Sequence, residues 1–132
     1  MTKERTPSQI GKWSRGSGQR HERKIANLMK PLFPDAKRGL QSRGGTAEAP
    51  DVTNTPFFIE CKHRASPNIL AALNQADLAR YEVTEKGTKQ VDFRPPVAIT
   101  NRKNCKYNHG DVVTMRFADW LELVERAEKD YK

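Results

Sequence analysis

Apolar and polar positions organise most sharply over Pro50–Lys62, where Val52 and the run Phe57-Phe58-Ile59 flank the turn residues Asn54-Thr55-Pro56. β-Branched and aromatic residues on either side of a turn signal predict two short strands joined as a hairpin. A tight turn centred on Thr55-Pro56 pairs Asn54 with Phe57, Thr53 with Phe58 and Asp51 with Glu60. Period-2 alternation then sets Lys62 on the face of Glu60, and Ile59 and Cys61 on the other.

Helical spacing appears on both sides of this hairpin. Ile25, Leu28, Met29 and Leu32 follow a 3.6-residue period, predicting a helix over 17–30 with Ser17 as N-cap and Pro31 and Pro34 beyond its end. Glu22 falls on the apolar stripe of that helix. Residues 36–45 read as a strand running into a Gly-rich loop at Gly44-Gly45. Asn68 caps a second helix over 69–81, whose stripe is Ile69, Leu70, Leu73 and Ala76, with Gln75 on its small-residue face. Residues 82–95 form a polar connector. Val97-Ala98-Ile99-Thr100 is the continuous apolar run of a strand buried on both faces. After a basic loop at 101–110, Val112–Met115 predicts another strand. A last helix over 118–129 gathers Phe117, Trp120, Leu121 and Val124 on one face, which is expected in the core. The order is helix, three strands, helix, strand, strand, helix: a single small α/β domain with a mixed central sheet flanked by helices.

Length and composition fit that picture. The chain of 132 residues supports one core, 36% hydrophobic residues keep it modest, and 30% charged residues give a heavily charged surface. Residues 1–17 are polar, basic and Gly-containing, and are expected to form a flexible arm ahead of the folded domain at 18–132. No apolar run reaches the roughly 20 residues that span a bilayer, so no membrane association is expected. Two widely spaced cysteines form no disulfide framework and suit a reducing, cytoplasmic compartment.

Charge changes the picture. The formal net charge is +8, and residues 1–64 carry 13 Lys/Arg against 6 Asp/Glu, whereas residues 65–132 carry 11 against 10. The positive field thus belongs to the half that holds the hairpin. It implies a polyanionic partner, and nucleic acid rather than an anionic membrane, because no basic amphipathic helix accompanies it. Candidate phosphate contacts are Arg15, Arg20, Arg23, Lys24, Arg38, Ser42, Arg43, Arg102, Lys103 and Lys106.

In such a field, two carboxylates facing each other across a strand pair are an anomaly. Their Cβ atoms would stand roughly 5 Å apart, where like charges are destabilising. A hard divalent cation between them removes the conflict, since Mg²⁺ prefers oxygen ligands and keeps several waters. Asp51 and Glu60 supply two carboxylates, the Cys61 backbone carbonyl a third oxygen, and Glu22 a further acid, through water or at a second metal position. Lys62 is positioned to orient a water or to stabilise developing negative charge.

Pro50-Asp51 followed by Glu60-Cys61-Lys62, with Glu22 on an upstream helix and Gln75 on the next one, resembles the PD-(D/E)xK nuclease superfamily. Within it, the length, the basic helix around Glu22 and the Arg38–Arg43 segment are similar to archaeal-type and phage-type Holliday junction resolvases. The resemblance covers roughly residues 18–100. It implies a restriction-endonuclease-like fold with an α-β-β-β-α-β core and a nuclease domain over 18–132. It implies Glu22, Asp51, Glu60 and Lys62 as the catalytic set, with Gln75 accessory and Mg²⁺ or Mn²⁺ as cofactor. It also implies a homodimer acting on branched, four-way DNA.

Two other readings compete. Cys61, His63, Cys105 and His109 can be written as a zinc site, but a C-x-H pair on one strand chelates poorly and Cys61 adjoins an apolar run. A non-catalytic DNA-binding module explains the charge but not the opposed carboxylates, which repel phosphate.

Overall fold

The computed structural model describes residues 7–39, 49–102 and 110–130, with side chains over 16–39, 49–101 and 110–129. Helix α1 (Pro7–Met29) is followed by β1 (Lys37–Arg38), β2 (Val52–Thr53) and β3 (Phe58–Arg64). Next come α2 (Ile69–Leu78), β4 (Tyr81–Thr84), β5 (Gly87–Gln90), β6 (Pro96–Arg102), β7 (Val112–Met115) and α3 (Phe117–Asp130). Strands β1-β2-β3-β6-β7 form one sheet in that order, and β4-β5 a separate two-stranded ribbon. Among the described strands only β3 and β6 run parallel, because α2 and the ribbon carry the chain from the end of one to the start of the other. The protein is therefore a small α/β domain with a mixed five-stranded sheet and flanking helices.

Alternation along β3 divides the core between the two faces. Ile59 and Cys61 pack with Val52, Val97, Ile99 and the α1 residues Ile25 and Ala26. Phe58 points the other way, against Ala76 and Ala79 of the α2 region. Small residues at 72, 76 and 79 let α2 approach the sheet closely, and Asn68 caps it by accepting a hydrogen bond from the Ala71 amide at 3.0 Å. At the hairpin turn Asn54 takes a positive φ of 64°, which asparagine tolerates, and its side-chain amide donates to the Asp35 carbonyl.

The structure departs from the sequence reading in three places. Residues 7–17 of the expected arm are helical, as part of α1, and Ser17 is a buried residue inside the helix rather than its cap. Within the expected connector, Tyr81–Thr84 and Gly87–Gln90 pair as a hairpin, and α2 stops at Leu78 to feed it. Gly87, at a φ of +117°, makes the turn. Finally, Phe117, Trp120, Leu121 and Val124 are not core: they are 41–70% exposed. Among the described residues, helix α3 makes no packing contact comparable to those by which α1 and α2 cover the sheet.

Candidate active site

One register pair sets the geometry: Val52 lies opposite Ile59 in the antiparallel β2–β3 ladder, and the Asp51 amide donates to the Ile59 carbonyl at 2.8 Å. That register carries Asp51 across from Glu60, as the turn predicts. Here β2 ends, and the next β3 amide on that side, Cys61 N–H, donates to Asp51 Oδ2 at 2.8 Å instead of to a neighbouring strand. Backbone groups alternate sides along a strand. The Cys61 carbonyl therefore points to the same side as its amide, toward Asp51, where no described strand lies across from it.

Two further residues complete the group. Lys62 Nζ stands 3.2 Å from Glu60 Oε1, both side chains on the α2 side by alternation. From α1, Glu22 accepts from Arg38 Nε of β1 at 2.6 Å, with its side chain only 12% exposed. Arg38 Nη2 is buried with no hydrogen-bond partner among the described residues.

The electrostatics follow from crowding acids in a dry place. Burial pushes the Asp51 carboxyl up to about 7, and the charges of Glu60 and Glu22 push in the same direction; the Cys61 amide and Lys62 oppose them. Burial also raises the Cys61 thiol, with the nearby carboxylates adding to it, so this sulfur stays protonated and belongs to the core. Glu60 itself is only 5% exposed. Such a cluster favours any arriving cation.

Other expected residues fare differently. Gln75 is exposed, and its side chain makes no hydrogen bond among the described residues. Arg20 and Arg23 are exposed along α1 beside Asn27 and Leu28. Lys24 shares that groove, but its ammonium contacts Asp111 at 2.8 Å. The side chains of Arg15 and Arg102, and Ser42, Arg43, Lys103 and Lys106 entirely, lie outside the described residues, as do Cys105 and His109 of the zinc alternative.

Sequence reasoning missed a second cluster beside the acids. Asp111, just before β7, receives His21 Nε2 at 2.8 Å, Lys24 Nζ at 2.8 Å and Asn101 Nδ2 at 3.0 Å. His21 also stacks on His63 of β3, ring centroids 5.1 Å apart. Asp111 thus clasps α1, β6 and β7 together. Burial alone would raise its carboxyl, but those hydrogen bonds outweigh it and hold the group at about 2. The signal was available: His21 stands four residues before Ile25 and shares its stripe. Gly39 was missed as well. Its amide donates to the Asp51 carbonyl at 2.8 Å, and a Cβ at this position would lie 1.9 Å from the Pro50 carbonyl oxygen. Only glycine lets β1 pass this close to the Pro50-Asp51 backbone.

Among the described residues, no three His, Cys, Asp or Glu side chains form a ready-made metal cage. The donor set here is two carboxylates plus a backbone carbonyl, which fits a cation that completes its shell with water and substrate oxygens. No family model, curated protein or solved structure matches the chain.

Proposed function

We propose that this protein is a Mg²⁺- or Mn²⁺-dependent DNA endonuclease of the PD-(D/E)xK type, with a restriction-endonuclease-like fold, acting as a homodimeric Holliday junction resolvase. The observation that carries the reading is the half-buried Asp51 opposed to the buried Glu60 across β2 and β3, with Lys62 3.2 Å from Glu60 and the Asp51 carboxyl raised to about 7. Carboxyls pushed up by burial and by each other's charge cluster at functional sites. The element order α1-β1-β2-β3-α2, with β6 returning parallel to β3, supports the nuclease-like topology.

Asp51, Glu60 and the Cys61 carbonyl would hold the metal, which when bound polarises a phosphodiester and lowers the pKa of its water. Lys62 orients the attacking water or stabilises charge on the phosphoryl oxygens, kept in place by Glu60. Glu22, held by Arg38, adds a third acid facing the same centre. Arg20 and Arg23 on the exposed side of α1 bind phosphates without reading sequence. Gln75 has only an accessory part in this reading. A binding-only module accounts for the basic half-chain but not for two opposed acids, one of them buried.

The test is cleavage of four-way junction, flap, nicked and linear duplex DNA, each with and without Mg²⁺. Paired symmetric nicks in the junction, dependent on Mg²⁺, are expected. Preference for linear duplex rejects the resolvase assignment, and absence of cleavage on every substrate rejects the enzyme.

A further inference from the structure

Asp51 lies between two ion pairs. On the α2 side of the sheet Glu60 carries Lys62, with Nζ 3.2 Å from Oε1, and on the α1 side Glu22 carries Arg38, with Nε 2.6 Å from Oε2. The β1–β2 register explains the second pair. Arg38 lies opposite Val52, and cross-strand partners share a face. Val52 packs with Ile25 and Ala26 of α1, so Arg38 turns toward the same helix, which presents Glu22. The Gly39 amide, donating to the Asp51 carbonyl at 2.8 Å, ties this part of β1 to β2. Among the described residues the Asp51 carboxylate has the Cys61 amide as its donor and no ammonium or guanidinium of its own.

The Glu22–Arg38 pair is part of the fold. Its side chains are 12% and 23% exposed, so water screens it little, and a guanidinium stays charged beside a half-buried acid where an ammonium can lose its proton. An acid held in this way makes a poor metal ligand, because turning to a metal would leave Arg38 charged and unpaired. Glu22, Asp51 and Glu60 accordingly do not gather into a three-ligand group, although the Glu22 charge reaches Asp51. Charge counting gives the same answer. The three carboxylates against Lys62 and Arg38 leave one negative charge in the cluster. A single divalent ion turns this into one positive charge, which one phosphodiester cancels. A second divalent ion would have to displace the guanidinium or stand against it.

We propose that the site takes one divalent ion, and that the Arg38 guanidinium, anchored by Glu22, supplies the positive charge a second ion would bring. The ion belongs to Asp51, Glu60 and the Cys61 carbonyl, and the fixed cation to β1. Glu22 then serves as the anchor of Arg38 rather than as a metal ligand. Glu22 does not use up the guanidinium: Nη2 is buried with no hydrogen-bond partner among the described residues, and a planar guanidinium suits phosphate oxygens. The inference rests on the metal-dependent reading of this site and sets its ion count.

Calorimetric titration of the full chain with Mn²⁺, without DNA and above pH 7 so that Asp51 is ionised, tests it. The native chain is expected to bind one Mn²⁺. Arg38→Met removes the guanidinium and frees Glu22 as a ligand, so the count should rise to two. Adding Glu22→Gln to Arg38→Met should return it to one, and Arg38→Lys, which keeps the charge, should stay at one. Circular dichroism checks that each variant is folded. Where Arg38→Met is not, Arg38→Gln, whose amide still donates to Glu22, gives the same reading. A native chain that binds two Mn²⁺, or none, overturns the proposal. So does a folded Arg38→Met or Arg38→Gln chain that stays at one. The titration involves no cleavage, so the two readings fail separately: a count that rises from one to two in a protein that cuts no DNA rejects the nuclease and leaves the role of Arg38 standing.

Discussion

Asp51 accepts a hydrogen bond from the Cys61 amide at 2.8 Å, filling with a side chain the ladder position that β2 ends too early to fill. The same contact turns the Cys61 carbonyl and the Asp51 carboxylate toward one spot, beside the buried Glu60. Most of the expected behaviour of this protein follows from that arrangement.

The first consequence is a pH-dependent conflict. Asp51 titrates at about 7 in the folded chain against an ordinary value of 3.8. Between those values the folded state keeps a proton that the unfolded chain has released. Stability of the metal-free protein therefore falls as pH rises through this window, and the full penalty is present above about pH 7. Asp51→Asn removes the charge and keeps an oxygen to accept from Cys61. It should stabilise the metal-free protein by about 1–3 kcal/mol above pH 7 and by little near pH 4, measured by urea denaturation. Mg²⁺ should stabilise the native chain more above pH 7 than near pH 5. Equal stabilisation at both values contradicts the assignment of Asp51 as a metal ligand.

Lys62 lies on the same face as Glu60 and touches it, but it is not an oxygen donor. Lys62→Ala should lose turnover by about 10²–10³-fold while binding of Mn²⁺, followed by calorimetry, is retained. Normal turnover in this variant removes Lys62 from the catalytic set.

Asp111 holds His21, Lys24 and Asn101, and His21 and Asn101 are both more than nine-tenths buried. Asp111→Ala leaves those donors without their acceptor and should cost about 1–3 kcal/mol of stability near neutral pH. The carboxyl sits at about 2 when folded and 3.8 ordinarily, so its contribution is present above 3.8 and lost as pH falls to 2. Denaturation curves of native and variant chains should converge in that acid range. A neutral effect at pH 7 means that the clasp does not hold α1 to the sheet.

Gly39 admits no side chain, because a Cβ would collide with the Pro50 carbonyl oxygen. Gly39→Ala should cost about 1–3 kcal/mol and reduce cleavage by moving Arg38 and Asp51, although the residue touches no substrate. Thermal melts together with cleavage rates check it; unchanged values in both show that β1 has room to shift.

Much of this was legible in the chain, for identifiable reasons. The hairpin register followed from the turn at Asn54-Thr55-Pro56 and the alternation around it, so Asp51, Glu60 and Lys62 fall where the pattern set them. The β7 boundaries, Val112–Met115, and the Asn68 cap were equally readable from local signals. The β4–β5 hairpin was not read because its strands are short and expose most of their side chains: Tyr81-Glu82-Val83-Thr84 alternates over only four residues, and Gly87-Thr88-Lys89-Gln90 carries no apolar position at all. Helix α3 shows the other limit: its stripe says that the helix must be buried, not whether its own sheet does the burying. Asp111 escaped notice because a lone acid before a strand carries no periodicity, and its role appears only when α1 and β6 converge on it.

The central claim is that Asp51 and Glu60 form a metal-dependent cutting site. Single-turnover cleavage of a four-way junction by the native chain, Asp51→Asn and Glu60→Gln, in saturating Mg²⁺, addresses it most directly. Losses of about 10³-fold or more are expected in each variant, in the range of removing a principal electrostatic element, with DNA affinity retained or improved as a repulsive charge is removed. Cleavage that is Mg²⁺-dependent and undiminished in both variants contradicts it.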